Sequence, residues 1–162
     1  MSSHDRQTIA ALWQRAVTAA RTAPAYLVDS DDSWREVSWA EADNRVDELA
    51  HGLLELGIKR GDHVAILGST RIEWALLDFA LCSLGAVVVP IYPTSSQNEC
   101  AYILADAEVR AIAVEDDAQR EKMEEAREQR RQASPLLAIP ARAPPDGERP
   151  LHDAPLDSGR RL

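Results

Sequence analysis

The sequence predicts an α/β fold: the leading part of a doubly wound, mostly parallel sheet with flanking helices, followed by an irregular C-terminal tail. Three observations carry that prediction. Short apolar runs of strand length recur at 64–67, 86–92 and 109–114. Helix-like stretches separate them, most opened by a capping signal, so each strand needs a crossover to bring the chain back parallel. Six of the nine prolines then crowd into the last 33 residues, where the alternation stops.

The elements follow in order. Thr8 precedes Ile9, Leu12, Trp13, Ala16, Val17 and Ala20, an apolar face at helical spacing that Pro24 ends. Residues 25–29 and 34–37 flank an Asp-Ser-Asp-Asp-Ser run and read as a small hairpin. Ser38 and Glu41 have capping-box spacing, and the helix they open presents Ala42, Val46, Leu49, Leu53 and Leu56 before Gly57 stops it. Val64 to Leu67 is a strand. Thr70 and Glu73 form a second capping box for a helix reaching Leu84 and ending at Gly85. The Val-rich run Ala86 to Tyr92 is so evenly apolar that burial on both faces is expected. Ser96 and Glu99 repeat the cap, Val109 to Val114 is a further strand, and an acidic helix starts at Asp116. After Arg127 no packed element is expected, because recurrent prolines fix φ and remove donors. The domain boundaries are therefore 1–127 for the folded part and 128–162 for a disordered Pro/Arg-rich tail.

Composition narrows the function. With 162 residues and 45% apolar content the chain can bury a core. Its net charge of −9 excludes the basic stripe that nucleic-acid binding requires. The first 129 residues hold 12 basic and 23 acidic side chains, the remainder six and four, so the acidity belongs to the folded part. Cys82 and Cys100 lie in no metal-ligand spacing and read as small buried hydrophobes. Gln14, Arg15 and Arg21 interrupt the apolar run a signal peptide needs, and Asp78, Ser83, Gly85 and Pro90 break the one stretch near membrane-spanning length. A cytoplasmic protein without a transmembrane segment is expected.

No local motif carries chemistry. Gly68-Ser69-Thr70 between a strand and a helix has the geometry that can hold an anion, yet it lacks both phosphate-loop patterns, and helix capping accounts for its hydroxyls. His4, His51, His63 and His152 are scattered, with structural roles expected for His51 and His63. Glu41, Asp43, Asp47 and Glu48 read as a solvated helix face, and Glu115-Asp116-Asp117 as charge favouring a helix N-terminus. Trp13, Trp34, Trp39 and Trp74 read as packing residues.

A resemblance adds what the local chemistry withholds. Ser38-Trp39-Ala40-Glu41, the run Gly57 to Leu67, Arg71-Ile72-Glu73-Trp74, the run Leu84 to Ser96, and Tyr102 to Ala107 stand in an order that resembles the start of AMP-forming acyl-CoA synthetases. Trp74 and Tyr92-Pro93-Thr94 are similar to the long-chain fatty acid branch, and the likeness covers roughly residues 8–127. It implies a two-step ligase: a fatty acid carboxylate attacks ATP to give an acyl-adenylate, and coenzyme A then takes the acyl group. In the complete family enzyme ATP, Mg²⁺ and CoA are the cofactors, held by a Ser/Thr/Gly-rich loop ending in Pro-Lys-Gly, a Tyr-Gly-x-Thr-Glu, a ribose-binding Asp and a lid lysine. None of these occurs here, so no cofactor is expected for this fragment. Catalytic residues, cofactor-binding residues and metal ligands are each none. The expectation is a fragment truncated or frameshifted before the ATP-binding motif and inactive alone, since GC-rich DNA read out of frame yields Arg, Pro, Ala and Gly in the proportions of the tail. The alternative is a non-catalytic binding or regulatory domain that pairs with a complementary chain through its open sheet edge.

Overall fold

The computed structural model describes residues 8–19, 21–30, 33–130 and 136–138. Helix α1 (Ile9–Thr18) precedes a hairpin of β1 (Tyr26–Ser30) and β2 (Ser33–Val37), paired antiparallel with Tyr26 opposite Val37. There follow α2 (Trp39–Glu55), β3 (His63–Leu67), α3 (Ile72–Leu84), β4 (Val87–Ile91), α4 (Gln97–Asp106), β5 (Ala111–Val114), α5 (Asp117–Arg130) and β6 (Leu136–Ala138). The four later strands form one parallel sheet in the order β4-β3-β5-β6.

That order is doubly wound. The chain steps from β3 to one neighbour through α3, then reverses across β3 through α4 and continues outward through α5. Crossovers of a single hand must then leave α3 on one face and α4 and α5 on the other. The two cores match. Val64, Ile66, Ala111 and Ala113 pack with residues of α1, α2, α3 and the hairpin, whereas Ala65, Leu67, Ile112 and Val114 pack with Cys100, Leu104, Met123 and Ala126. The period of two along each strand divides its side chains between the two cores. Each large aliphatic buried there contributes about 1.5–3 kcal/mol.

Capping explains most boundaries. The Ser38 hydroxyl accepts from the Glu41 amide at 3.1 Å. Ser96 and Glu99 form both halves of a capping box, with the Ser96 amide donating to Glu99 at 2.7 Å. Gly85 ends α3 in the left-handed conformation, φ 72°, which costs a glycine nothing.

Two expectations are corrected. Thr70 is not the cap of α3: the helix begins at Ile72 with Arg71 in the cap position, and no side chain caps it. The Val-rich run is not buried on both faces, because β4 is an edge strand with Val87 43% exposed and Pro90 exposed. The strands enclosed on both faces are β3 and β5, whose residues from Val64 to Leu67 and Ala111 to Val114 are at most 1% exposed. Beyond residue 127, helix α5 continues to Arg130, and Leu136–Ala138 pair with Ile112–Val114. The rest of the tail expected to be disordered, 131–135 and 139–162, lies outside the described residues.

Candidate functional site

In an open parallel sheet the natural crevice lies beyond the carboxyl ends of the strands, where neighbouring connections leave in opposite directions. Here that point is between β3 and β5. Gly68-Ser69-Thr70 leaves β3 there, and Glu115 leaves β5. The Ser69 amide donates to Glu115 Oε2 at 2.8 Å, and its hydroxyl donates to Oε1 at 3.1 Å. The turn does bind an anion, but the anion is the chain's own carboxylate. A Cβ on Gly68 would stand 3.3 Å from the Glu115 side chain, which would have to shift by a few tenths of an ångström to admit it.

Beside this bridge an open depression of about 400 Å³ lies over the ends of β3 and β4, between Ser69, Thr70 and Trp74 on one side and Tyr92 and Pro93 on the other. Lys122 of α5 fixes the far wall, donating to the carbonyls of Pro93 at 2.7 Å and Ser95 at 3.1 Å. Among the described residues the depression is lined by no carboxylate, amine, imidazole or thiol, only by the hydroxyls of Ser69, Thr70 and Tyr92. Its aromatic and proline surface offers contact rather than chemistry.

The other candidates are structural. His63 Nδ1 is hydrogen-bonded to the Ala107 carbonyl, and His51 Nδ1 to the Asp47 carbonyl one turn back at 2.8 Å. His4 and His152 lie outside the described residues. The carboxylates of α2 are not merely a solvated face: Glu41 pairs with Arg35 at 3.0 Å and Arg45 at 2.9 Å, and Asp43 accepts from the Trp13 indole N–H at 2.9 Å. Asp116 accepts from the Gln119 amide at 2.7 Å, as a carboxylate at the start of α5 should. Trp13 stacks on Phe79 with ring centroids 4.3 Å apart and sits 6.0 Å from Trp39, over which Arg21 lies at 4.8 Å. Trp34 is instead 69% exposed.

Cys100 is buried as expected, whereas Cys82 is half-buried and directs its thiol at Asp78, 3.9 Å away. Burial pushes both thiols and the Asp78 carboxyl upward; the Cys82 thiol partly offsets the effect on Asp78. Among the described residues no three His, Cys, Asp or Glu side chains converge to hold a metal, and no helix is long and apolar enough to cross a membrane. The residues present do not fit a magnesium-bound triphosphate. Ser69 is committed to Glu115, and no cationic side chain lines the depression.

The Glu115–Ser69 bridge and the Lys122 anchor had no signal in the sequence, since 46 and at least 27 positions separate the partners. The doubly wound sheet and the ordered likeness point to one class of protein, the AMP-binding enzymes. The chain belongs to the AMP-binding enzyme family, which matches residues 13–159.

Its relatives narrow the branch. It is 43% identical over 100 residues to the long-chain-fatty-acid CoA ligase FadD15 of Mycobacterium bovis, covering 60% of this chain and 17% of that protein. To the long-chain-fatty-acid CoA ligase ACSBG2 of Rattus norvegicus it is 29% identical over 116 residues, covering 72% and 17%. The match spans about a sixth of the length of these curated relatives. Among solved structures, the anthranilate CoA ligase AuaEII in complex with anthranoyl-AMP superposes with TM-score 0.69 at 24% identity, covering 82% of this chain and 25% of that one. The luciferase-like enzyme from the nonluminescent mealworm Zophobas morio superposes with TM-score 0.72 at 19% identity, covering 86% and 32%. At these identities the structures establish the fold alone.

Proposed function

We propose that the chain is scaffold from the N-terminal part of a cytoplasmic long-chain fatty acid CoA ligase, and that alone it is catalytically inactive. In the complete reaction a fatty acid carboxylate oxygen attacks the α-phosphorus of ATP and pyrophosphate leaves. The CoA sulfur then attacks the acyl carbon, and AMP leaves. That chemistry needs phosphate clamps, Mg²⁺ and a mobile lysine, which this chain does not supply. What it does supply is the two-faced sheet and the turns at its carboxyl edge.

The observation that carries this reading is the state of the switch-point turn. Where a phosphate would need free N–H groups, Ser69 is occupied by Glu115 through two hydrogen bonds. Both β6 and the family match through residue 159 favour carrying the AMP-binding portion past residue 127. They weigh against a reading-frame change near Arg127, and translating the downstream DNA in three frames tests that origin. Titration calorimetry of magnesium ATP into the folded full chain tests the function. No binding heat is expected, and saturable binding contradicts the proposal.

The second reading, a non-catalytic partner completed by another chain at a sheet edge, needs an edge that accepts a strand. Among the described residues the sheet offers two, β4 and β6.

A further inference from the structure

The two edges can be examined through their backbone groups. In a parallel ladder, alternate residues of an edge strand turn both N–H and C=O toward the neighbour, and those between turn both outward. The Val87 amide donates to the Asp62 carbonyl at 2.9 Å, and the register runs Val64↔Val88, Ala65↔Val89, Ile66↔Pro90. Val87, Val89 and Ile91 therefore spend their backbone groups on β3. Val88 and Pro90 face the open side, where β4 has no partner strand among the described residues.

A proline in a strand is harmless only where its missing N–H would have faced away from the ladder, and position 90 meets that condition. The same placement leaves the outward side of β4 with one donor, at Val88, and puts a pyrrolidine ring where a second N–H would stand. Without it, β4 would present a run of branched residues, Val87 exposed and Val88 and Val89 half-buried, along an edge whose outward backbone groups could template pairing between chains. The carboxyl-edge depression does not explain the proline, since any apolar residue could line it.

We infer that Pro90 is an edge guard, denying β4 to a further strand, above all to β4 of a second copy approaching antiparallel about a two-fold axis. The guard is independent of the ligase reading, because it rests on strand order and hydrogen-bond parity. It closes one of the two edges to a complementary chain and leaves β6 as the side for growth.

The test compares full-length wild type, P90V and P90A, with P93A in the following turn as control. Sedimentation velocity over a concentration series is combined with hydrogen exchange of residues 86–92. Wild type and P93A should leave the Val88 amide open to exchange. P90V and, more weakly, P90A should self-associate at about tenfold lower concentration, with exchange at 88–90 slowed in the associated state. P90V and P90A chains that unfold cooperatively and stay as monomeric as wild type overturn the inference. So does association without slower exchange at 88–90, or loss of cooperative unfolding in both variants, which would make the proline a requirement of the fold.

Discussion

Two carboxyl groups in this chain respond to pH with opposite signs. Glu99 accepts from the Ser96 amide and hydroxyl, which favours the ionised form and lowers its pKa. Its stabilising share is therefore present above the unfolded-state pKa and lost as pH falls through the lower folded value. Asp78 is the reverse: burial raises its pKa, so the folded state disfavours its charge and the cost grows as pH rises through the folded value. Asp78→Asn should raise the denaturation midpoint at pH 7, with the advantage vanishing near about pH 3, where both side chains are neutral. Urea titrations at the two pH values check the sign. Ser96→Ala removes a cap and should cost about 1 kcal/mol at neutral pH by the same measurement. The Ser96 box was legible because its partners are three positions apart. The Glu115–Ser69 bridge was not, since no local pattern reports a contact between the ends of two strands separated by two helices and a third strand.

At the scale of elements, α1 is held by one side chain more than any other. Trp13 is 4% exposed, stacks on Phe79 of α3 and donates to Asp43 of α2. Trp13→Ala should cost about 3–5 kcal/mol and detach α1, whereas Trp13→Phe keeps the stack and loses about 1 kcal/mol with the indole hydrogen bond. Equilibrium unfolding of the two variants separates ring burial from hydrogen bond. Gly85→Ala should also destabilise, because φ 72° strains any other residue and the new Cβ would meet Arg60 Cγ at 3.1 Å. Helix ends were largely readable, since caps and glycines are local. The position of β4 was misread for a physical reason. A continuous apolar run marks burial somewhere, and strand order, which decides which strand is enclosed, is a non-local property. Helix α3 failed differently: a hydroxyl at the right spacing is permitted to cap, yet the turn after β3 engages Glu115 through Ser69 and the helix starts two residues later.

For the whole molecule, two cores on one sheet make a fold shared by solved structures of which this chain covers 25% and 32%. The α/β class and doubly wound order followed from alternation, and the family from ordered short motifs. The strand beyond residue 130 was hidden by the prolines around it, which depress local β propensity without forbidding a three-residue pairing. The central claim is that this scaffold performs no adenylation. Palmitate-dependent exchange of labelled pyrophosphate into ATP, measured on the full chain after circular dichroism has established its fold, tests that claim most directly. No exchange above a protein-free control is predicted, and exchange that rises with palmitate and chain concentration would contradict it.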